Sequence, residues 1–235
     1  MAFKDEARFY KIDGESYPSV TTIIKCLDKP ALVPWASKMQ READALTAVM
    51  AESTRAAAEL ILASANAAYA KSAKAADIGT AAHELVEWYL GGEVEGKRPL
   101  ATEPAEQCFE SWLKWWTGSG LKAVGIETVV HSAMHGYAGR IDLLAEKKGK
   151  QYVLDWKSGK DIYPEAHLQN IAYRAALAEM GMPTHGGAML LLSKEGGAVK
   201  VVQARKDIII GDFLAVFDAW KVMRKMNNQP TGERA

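Results

Sequence analysis

Three successive stretches in the middle of the chain have the length and apolar character of β-strands. They are residues 124–131, 137–145 and 151–157, and each carries a few polar side chains among its hydrophobic ones. The connections between them are short and contain glycine. Such connections favour tight turns, so the pattern predicts an antiparallel meander of three strands.

The segment after the meander predicts one more strand in the same sheet. Residues 164–180 are typical of a helix, and the very apolar run 189–192 that follows is typical of a buried strand. A right-handed crossover through the helix would return this strand to the sheet. Residues 188–193 and 198–204 then predict a strand pair around a Glu-Gly-Gly turn, and residues 208–226 predict a closing helix.

The N-terminal pattern predicts a hairpin and a short helix. Residues 8–13 and 15–18 flank an Asp-Gly pair, which favours a tight turn. Ser19 or Thr21 is a candidate N-cap for a helix over residues 22–27.

Three longer helical segments follow. Alanine and charged residues dominate residues 34–76, which predicts two helices with a weak point near residues 64–66. Residues 78–90 predict a further helix that ends at a Gly-Gly pair. Residues 104–116 predict another, with Gly118 beyond its end.

The composition suits one large domain, or a core domain with an appendage. The chain has 235 residues, 49% of them hydrophobic, and a formal net charge of zero. This balance argues against tight nonspecific binding to nucleic acid, but it leaves room for a local basic channel. We therefore expect a single domain over residues 1–235, with an N-terminal element over 1–75, a core over 76–226 and a flexible tail over 227–235.

The cysteines and the hydropathy of the chain exclude other classes of protein. Cys26 and Cys108 are far apart, and neither belongs to a Cys-x-x-Cys pair. Neither a cysteine-ligated zinc site nor an iron–sulfur cluster is therefore expected. The charged N-terminus is not a secretory signal, and no run approaches the roughly 18 apolar residues of a membrane span. We expect a cytoplasmic protein with reduced thiols.

Two aspartates and a lysine in the predicted meander carry the strongest chemical signal. Asp142 and Asp155 lie in apolar runs thirteen residues apart, where a carboxylate is costly unless a partner compensates it. Lys157 follows Asp155 by two residues, so a regular strand places both side chains on one face. The carboxylates suit Mg²⁺ or Mn²⁺, and the lysine suits a phosphodiester or its attacking water. A buried Asp–Lys ion pair is the alternative interpretation.

Two predicted helices add polar pairs to this set. His83 and Glu87 are four residues apart and share a helix face. The imidazole is either a metal ligand or a packed side chain. Gln169 and Tyr173 share a face of the helix after the meander, where they either hydrogen-bond a phosphate or Lys157, or form a solvated surface.

Four motifs occur in a fixed order over about residues 76–204: Gly-Thr-x-x-His, Gly-Arg-x-Asp, Asp-Trp-Lys and Gln-x-x-x-Tyr. Together they resemble the PD-(D/E)XK nuclease superfamily, in its RecB-like exonuclease branch. The upstream Tyr-Pro-Ser-Val-Thr and Pro-Trp motifs resemble the start of phage-type members and of the mitochondrial genome maintenance exonuclease. The resemblance implies a restriction-endonuclease-like α/β core, a central mixed β-sheet flanked by helices, and an N-terminal helical extension.

The resemblance also implies roles for the matching residues. The implied metal ligands are His83, Asp142, Asp155 and the carbonyl of Trp156. Lys157 matches the catalytic lysine and acts with the two aspartates, while Gln169 and Tyr173 match a pair that faces the substrate. The chain lacks the four cluster cysteines of Cas4-like and AddB-like relatives, which again excludes an iron–sulfur cluster.

Five further residues each allow two interpretations. Arg140 either holds the scissile phosphate or pairs with an acidic neighbour. Glu127 either approaches the metal through water or faces solvent, and we favour solvent. Ser19 and Thr21 bind a phosphate or, as we favour, cap a helix. Trp35 stacks on an unpaired base or, as we favour, packs in the core.

The helical segment over residues 34–76 is the least determined part of the chain. In the resembling exonucleases an N-terminal helical element covers the active site and confines single-stranded DNA. The basic residues that would follow a DNA backbone here are Lys38, Arg41, Arg55, Lys71 and Lys74. Acidic residues balance them, so a solvated helical face is the alternative.

The sequence therefore predicts a Mg²⁺- or Mn²⁺-dependent DNA exonuclease that prefers single-stranded ends. We expect DNA as its partner, a recombination or repair protein as a further candidate partner, and a role in phage or bacterial DNA recombination or repair. A structure-specific or restriction-like endonuclease on the same fold is one alternative. A non-catalytic DNA-binding protein is the other.

Overall fold

The computed structural model describes residues 8–27, 67–91, 97–227 and 229–230. The strands are β1 Phe9–Ile12, β2 Glu15–Pro18, β3 Lys122–Ser132, β4 Tyr137–Lys147, β5 Lys150–Lys157, β6 Gly186–Leu191 and β7 Lys200–Gln203. The helices are α1 Val20–Ile24, α2 Ala67–Leu90, α3 Glu103–Ser119, α4 Glu165–Glu179 and α5 Ile210–Met226. The helices predicted before residue 67, and Trp35 with them, lie outside the described residues.

The chain divides into two compact units. One comprises Met1–Leu27 and Ala81–Ala235, and the other comprises Asp28–Thr80. Of the second unit the structure describes residues 67–80, which are helical. All five strands of the main sheet belong to the first unit. Among the described residues, no helix is both long enough and apolar enough to cross a membrane.

The main sheet has the strand order β3-β4-β5-β6-β7 and confirms the predicted topology. The β3–β4 and β4–β5 pairs are antiparallel, as expected for the meander. β6 then pairs with β5 in parallel, because the chain crosses over through α4 before it returns. β7 closes the sheet as an antiparallel neighbour of β6. The fold is thus α/β, with a mixed central sheet.

Helices cover both faces of this sheet. On β5 the neighbouring residues Asp155 and Trp156 point to opposite faces, as side chains on a strand must. Trp156 meets the indole of Trp112 on α3, with ring centroids 5.8 Å apart. Asp155 instead accepts a hydrogen bond from Gln169 on α4. The catalytic candidates of β5 therefore lie on the α4 face, while α3 covers the other.

A hydrophobic cluster on the α4 face joins the N-terminal helix to the C-terminal one. Val20 of α1 and Phe213 and Phe217 of α5 are buried there with Tyr137 of β4. The Tyr137 hydroxyl donates to the Ala172 carbonyl of α4 at 2.9 Å. Its burial raises the pKa of Tyr137, so the phenol remains a neutral donor at physiological pH. This cluster fixes α4, and with it the polar side chains of α4, against the sheet.

Several predicted element boundaries are wrong. The described part of α2 begins at Ala67 rather than at residue 78. α3 continues through Gly118 to Ser119 and ends at Gly120, whose φ of 66° is the left-handed conformation that terminates helices. β6 begins at Gly186, two residues before the predicted start, since the parallel pairing reaches back to Tyr152.

The hairpin is confirmed, and the first helix is present but spans Val20–Ile24 rather than residues 22–27. β1 and β2 pair antiparallel around the Asp-Gly turn. α1 begins at Val20, and the Ser19 hydroxyl accepts a hydrogen bond from the Thr22 N–H at 3.0 Å. Ser19 is therefore the N-cap, and Thr21 lies inside the helix.

Replacing Gly187 with alanine is expected to lower the free energy of unfolding by about 1–3 kcal/mol. Gly187 pairs with Val153 under α4, where Asn170 donates to the Val153 carbonyl at 3.3 Å. A Cβ at Gly187 would lie 2.1 Å from Asn170 Oδ1 and 2.5 Å from its Nδ2, so the amide would have to move. Chemical denaturation measures the change.

Gly186→Ala is the matched control for this substitution. A Cβ there would meet Tyr152 at 3.6 Å, which is ordinary van der Waals contact. We expect this neighbouring variant to unfold at nearly the wild-type denaturant concentration. Equal stability of the two variants would contradict the steric argument.

Candidate active site

The polar side chains of β5 and α4 form one hydrogen-bonded chain. Lys157 Nζ lies 2.6 Å from Asp155 Oδ2 and donates to Gln169 Oε1 at 3.0 Å. The Gln169 amide nitrogen donates to Asp155 Oδ1 at 3.1 Å and approaches the Tyr173 hydroxyl at 3.0 Å. The i, i+2 spacing correctly predicted that Asp155 and Lys157 share a face. The ion pair predicted as an alternative is present as well.

Burial differs among the side chains of this hydrogen-bonded chain. Asp155, Gln169 and Tyr173 are nearly inaccessible, whereas the Lys157 side chain is 30% exposed. Burial raises the pKa of Asp155, against the opposing effect of Lys157. For Lys157 burial lowers the pKa, but the carboxylates of Asp155 and Asp142 outweigh burial and raise it. The ammonium group therefore stays charged beside Asp155.

The site opens where β4 and β5 separate. Their backbone pairing ends at Leu143 and Leu154. At the next residue of β4, a side chain replaces the backbone as the acceptor. The Trp156 N–H donates to Asp142 Oδ2 at 2.7 Å. β5 keeps its pairing with β6 as far as Lys157. The Asp142 carboxylate therefore accepts a hydrogen bond from β5 at the point where the backbone pairing of β4 with β5 has ended.

Asp142 also faces His83 and Glu127. His83 Nδ1 lies 3.8 Å from Asp142 Oδ2, and the side chains are 31% and 14% exposed. One donor atom from each of His83, Glu127 and Asp142 lies within 4.8 Å of the other two. α2, β3 and β4 contribute one residue each, so the cluster exists only in the folded chain.

Glu127 is the residue that the sequence analysis placed wrongly. We favoured a solvent-facing side chain, but it is only 19% exposed and forms an ion pair with Arg140 Nε at 2.7 Å. Burial raises the pKa of Glu127 to about 7, with a further contribution in the same direction from Asp142. The strand register explains this position, since Ile126 pairs with Leu143 and Thr128 with Ile141, which leaves Glu127 opposite Asp142.

The three donors fit a divalent cation. Two carboxylates and one imidazole supply the oxygen and nitrogen ligands that Mn²⁺ and other first-row ions accept, and Mg²⁺ also accepts the carboxylates. Their spacing is one that a single ion can bridge after small side-chain rotations. The two carboxylates repel each other, and the Arg140 guanidinium offsets only part of that repulsion at Glu127. The donor set therefore agrees with a metal site.

The predicted metal ligands are only partly gathered in one place. His83 and Asp142 lie together, whereas both oxygens of Asp155 face Lys157 and Gln169. Trp156 is adjacent through its N–H bond to Asp142. Coordination by Asp155 and by the Trp156 carbonyl remains a prediction.

The predicted substrate residues are distributed differently. Gln169 and Tyr173 are buried, so the solvated helix face is wrong, and their contact with substrate remains a prediction. Arg140 is half-exposed and forms an ion pair with Glu127, so the predicted alternative of pairing with an acidic neighbour is present. Ser19 is a buried helix cap next to Thr21, so any phosphate role for either residue also remains a prediction.

The glycine of the Gly-Arg-x-Asp motif has a steric role. A Cβ at Gly139 would lie 2.4 Å from Tyr173 Cε1, so only glycine lets the aromatic ring approach β4 this closely. The ring in turn adjoins the Gln169 amide. Gly139 therefore helps to place α4 over the site.

Three comparisons with known proteins place the chain among others. A family model described as PD-(D/E)XK nuclease superfamily matches residues 53–232. A comparison with curated proteins found no match. A solved structure described as the crystal structure of SSO0001 aligns at 11% identity with a TM-score of 0.38, covering 80% of this chain and 85% of that one.

Proposed function

This chain belongs to the PD-(D/E)XK nuclease superfamily, and we propose that it is a DNA exonuclease acting on single-stranded ends with Mn²⁺ or Mg²⁺. Membership alone implies a metal-dependent nuclease. The observation that carries the proposal is the meeting of the His83, Glu127 and Asp142 donors with the Asp155–Lys157 pair where β4 and β5 separate. The histidine favours Mn²⁺ over Mg²⁺, because Mg²⁺ prefers oxygen ligands.

Each side chain has a distinct role in this proposal. A bound divalent ion would activate water and neutralise charge on the scissile phosphate. Lys157 stabilises the negative charge that develops on the phosphate, since its ammonium group carries the positive charge of the site and its side chain is partly exposed. Asp155 and Gln169 hold Lys157 in position through the contacts already described. Arg140 lies at the edge of the site, where it can contact a neighbouring phosphate.

Preference for single-stranded ends, and a role in phage or bacterial recombination or repair, rest on the motif resemblance to RecB-like exonucleases. The resemblance includes the N-terminal Tyr-Pro-Ser-Val-Thr segment, of which Ser19 and Thr21 are part. These finer points are the part of the proposal that an assay must decide.

A gel assay with four DNA substrates tests the proposal. Linear single strands labelled at the 5′ or the 3′ end, linear duplex, and a covalently closed single-stranded circle are incubated with Mn²⁺, Mg²⁺ or EDTA. We expect the linear single strand to shorten with either metal and to remain intact in EDTA. The two labels reveal the direction of digestion, and the circle should survive.

Two variants control this assay. Asp142→Asn should remove cleavage, whereas Asp161→Asn, at an exposed carboxylate paired with Lys200, should retain it. Cleavage of the circle would replace the exonuclease with an endonuclease. A folded wild type that binds DNA but never cleaves it would overturn the proposal in favour of a binding protein.

A further inference from the structure

Glu127 has an unusual backbone conformation for a residue in the middle of a strand. Its φ is 47°, in the left-handed region that side chains other than glycine rarely adopt. The other non-glycine residues of the described chain with positive φ, Asp13 and Lys148, lie in the turns of two hairpins. Such strain persists where the surrounding structure imposes it, and it concentrates at functional sites.

The result of this conformation is a second carboxylate beside Asp142. The flanking residues Ile126 and Thr128 keep their pairing with β4, so the strand is not broken at Glu127. The Glu127 carboxylate lies among the donors of His83 and Asp142. Glu127 Oε2 forms the ion pair with the Arg140 guanidinium. A carboxylate has two oxygens, so the other one can serve as a ligand of a cation.

Asp155 is the other carboxylate near this cluster, and its contacts point elsewhere. Its Oδ2 forms the ion pair with Lys157, and its Oδ1 accepts from Gln169. In the structure, the carboxylate that lies close enough to bind the same cation as Asp142 is that of Glu127 and not that of Asp155.

We propose that Glu127 is a direct ligand of the divalent cation, with His83 and Asp142. This inference rests on the proposed function for the identity of the cation. The proposed ligand lies on β3, which precedes the Gly-Arg-x-Asp and Asp-Trp-Lys motifs in the sequence.

Direct titration of Mn²⁺ tests the assignment without any DNA. Electron paramagnetic resonance of the free ion gives the Kd for wild type and for Glu127→Gln. We expect the substitution to raise the Kd by about 10–100-fold, because a charged ligand becomes a weak neutral one. Glu106→Gln is the matched control, since Glu106 also pairs with an arginine, Arg98, on the exposed side of α3. Its Kd should equal that of wild type.

A second comparison separates ligation from a general effect of charge. Arg140→Gln removes a positive charge next to the same carboxylate, so the double variant with Glu127→Gln restores the net charge of the site. If Glu127 is a ligand, the double variant should still bind Mn²⁺ at least about 10-fold more weakly than wild type. A double variant with wild-type affinity would overturn the assignment.

Folding is checked by thermal unfolding in EDTA. Glu127→Asn provides a second variant, because asparagine tolerates the left-handed conformation better than most residues. It should fold and show the same loss of Mn²⁺ affinity. Wild-type affinity in both folded variants would exclude Glu127 as a ligand.

The outcomes distinguish this inference from the proposed function. Unchanged affinity in the Glu127 variants, with metal-dependent cleavage by wild type, removes the inference and leaves the nuclease. Weakened affinity in a protein that never cleaves DNA supports the ligand and removes the nuclease activity. A wild type that neither binds Mn²⁺ nor cleaves overturns both.

Discussion

Replacing Lys157 with methionine is expected to slow DNA cleavage by about 10²–10⁴-fold while the protein stays folded. Methionine keeps the unbranched shape of the side chain but removes the charge that the site presents to the phosphate. The ammonium group contacts Asp155 and Gln169, and the lysine side chain is 30% exposed, so we expect the lost charge to affect the cleavage step. The rate is measured in single turnovers at saturating Mn²⁺.

The effect on metal binding identifies the role of Lys157. The lysine is not among the three clustered donors, so the Kd for Mn²⁺ should change by only a few-fold. Lys200→Met is the matched control, because Lys200 forms a similar pair with Asp161 at 2.8 Å on the exposed surface. The control should cleave at the wild-type rate. Cleavage at that rate by a folded Lys157→Met protein would remove Lys157 from the mechanism.

Replacing Phe217 with alanine is expected to lower the free energy of unfolding by about 3–5 kcal/mol. The side chain is 2% exposed and packs against the rings of Tyr137, Phe213 and Trp220. Alanine would leave a cavity among these rings, which cannot all move to fill it. Urea denaturation monitored by circular dichroism gives the change.

Val222→Ala on the same helix controls for helix propensity and expression. Val222 is 57% exposed, so its truncation should change stability by no more than about 0.5 kcal/mol. Comparable losses in the two variants would show that α5 contributes little through its buried face. That result would contradict the core described above.

The sheet could be predicted because its signals are local and mutually consistent. Glycine-containing connections specified the meander, and the apolar run after the α4 segment specified the parallel strand. Helix ends were less predictable, since Gly118 reads as a stop but is tolerated inside α3. The true stop, Gly120, depends on a left-handed φ that composition does not reveal.

The candidate site was predictable where it depends on strand periodicity. Asp155 and Lys157 share a face because they are two residues apart on a regular strand. Glu127 was missed because its left-handed backbone departs from that regularity. The contact of Gly139 with Tyr173 joins distant parts of the chain, so no local pattern could disclose it.

The hydrogen bond between the Trp156 amide and Asp142 has a consequence for spectroscopy. The bond is 2.7 Å long, and its acceptor is the Asp142 carboxylate, which belongs to the cluster of His83, Glu127 and Asp142. The chemical shift of that amide depends on how much negative charge the carboxylate carries. The chemical shift of a ¹⁵N-labelled Trp156 amide should therefore report whether a cation is bound near Asp142, and the measurement needs no nucleic acid.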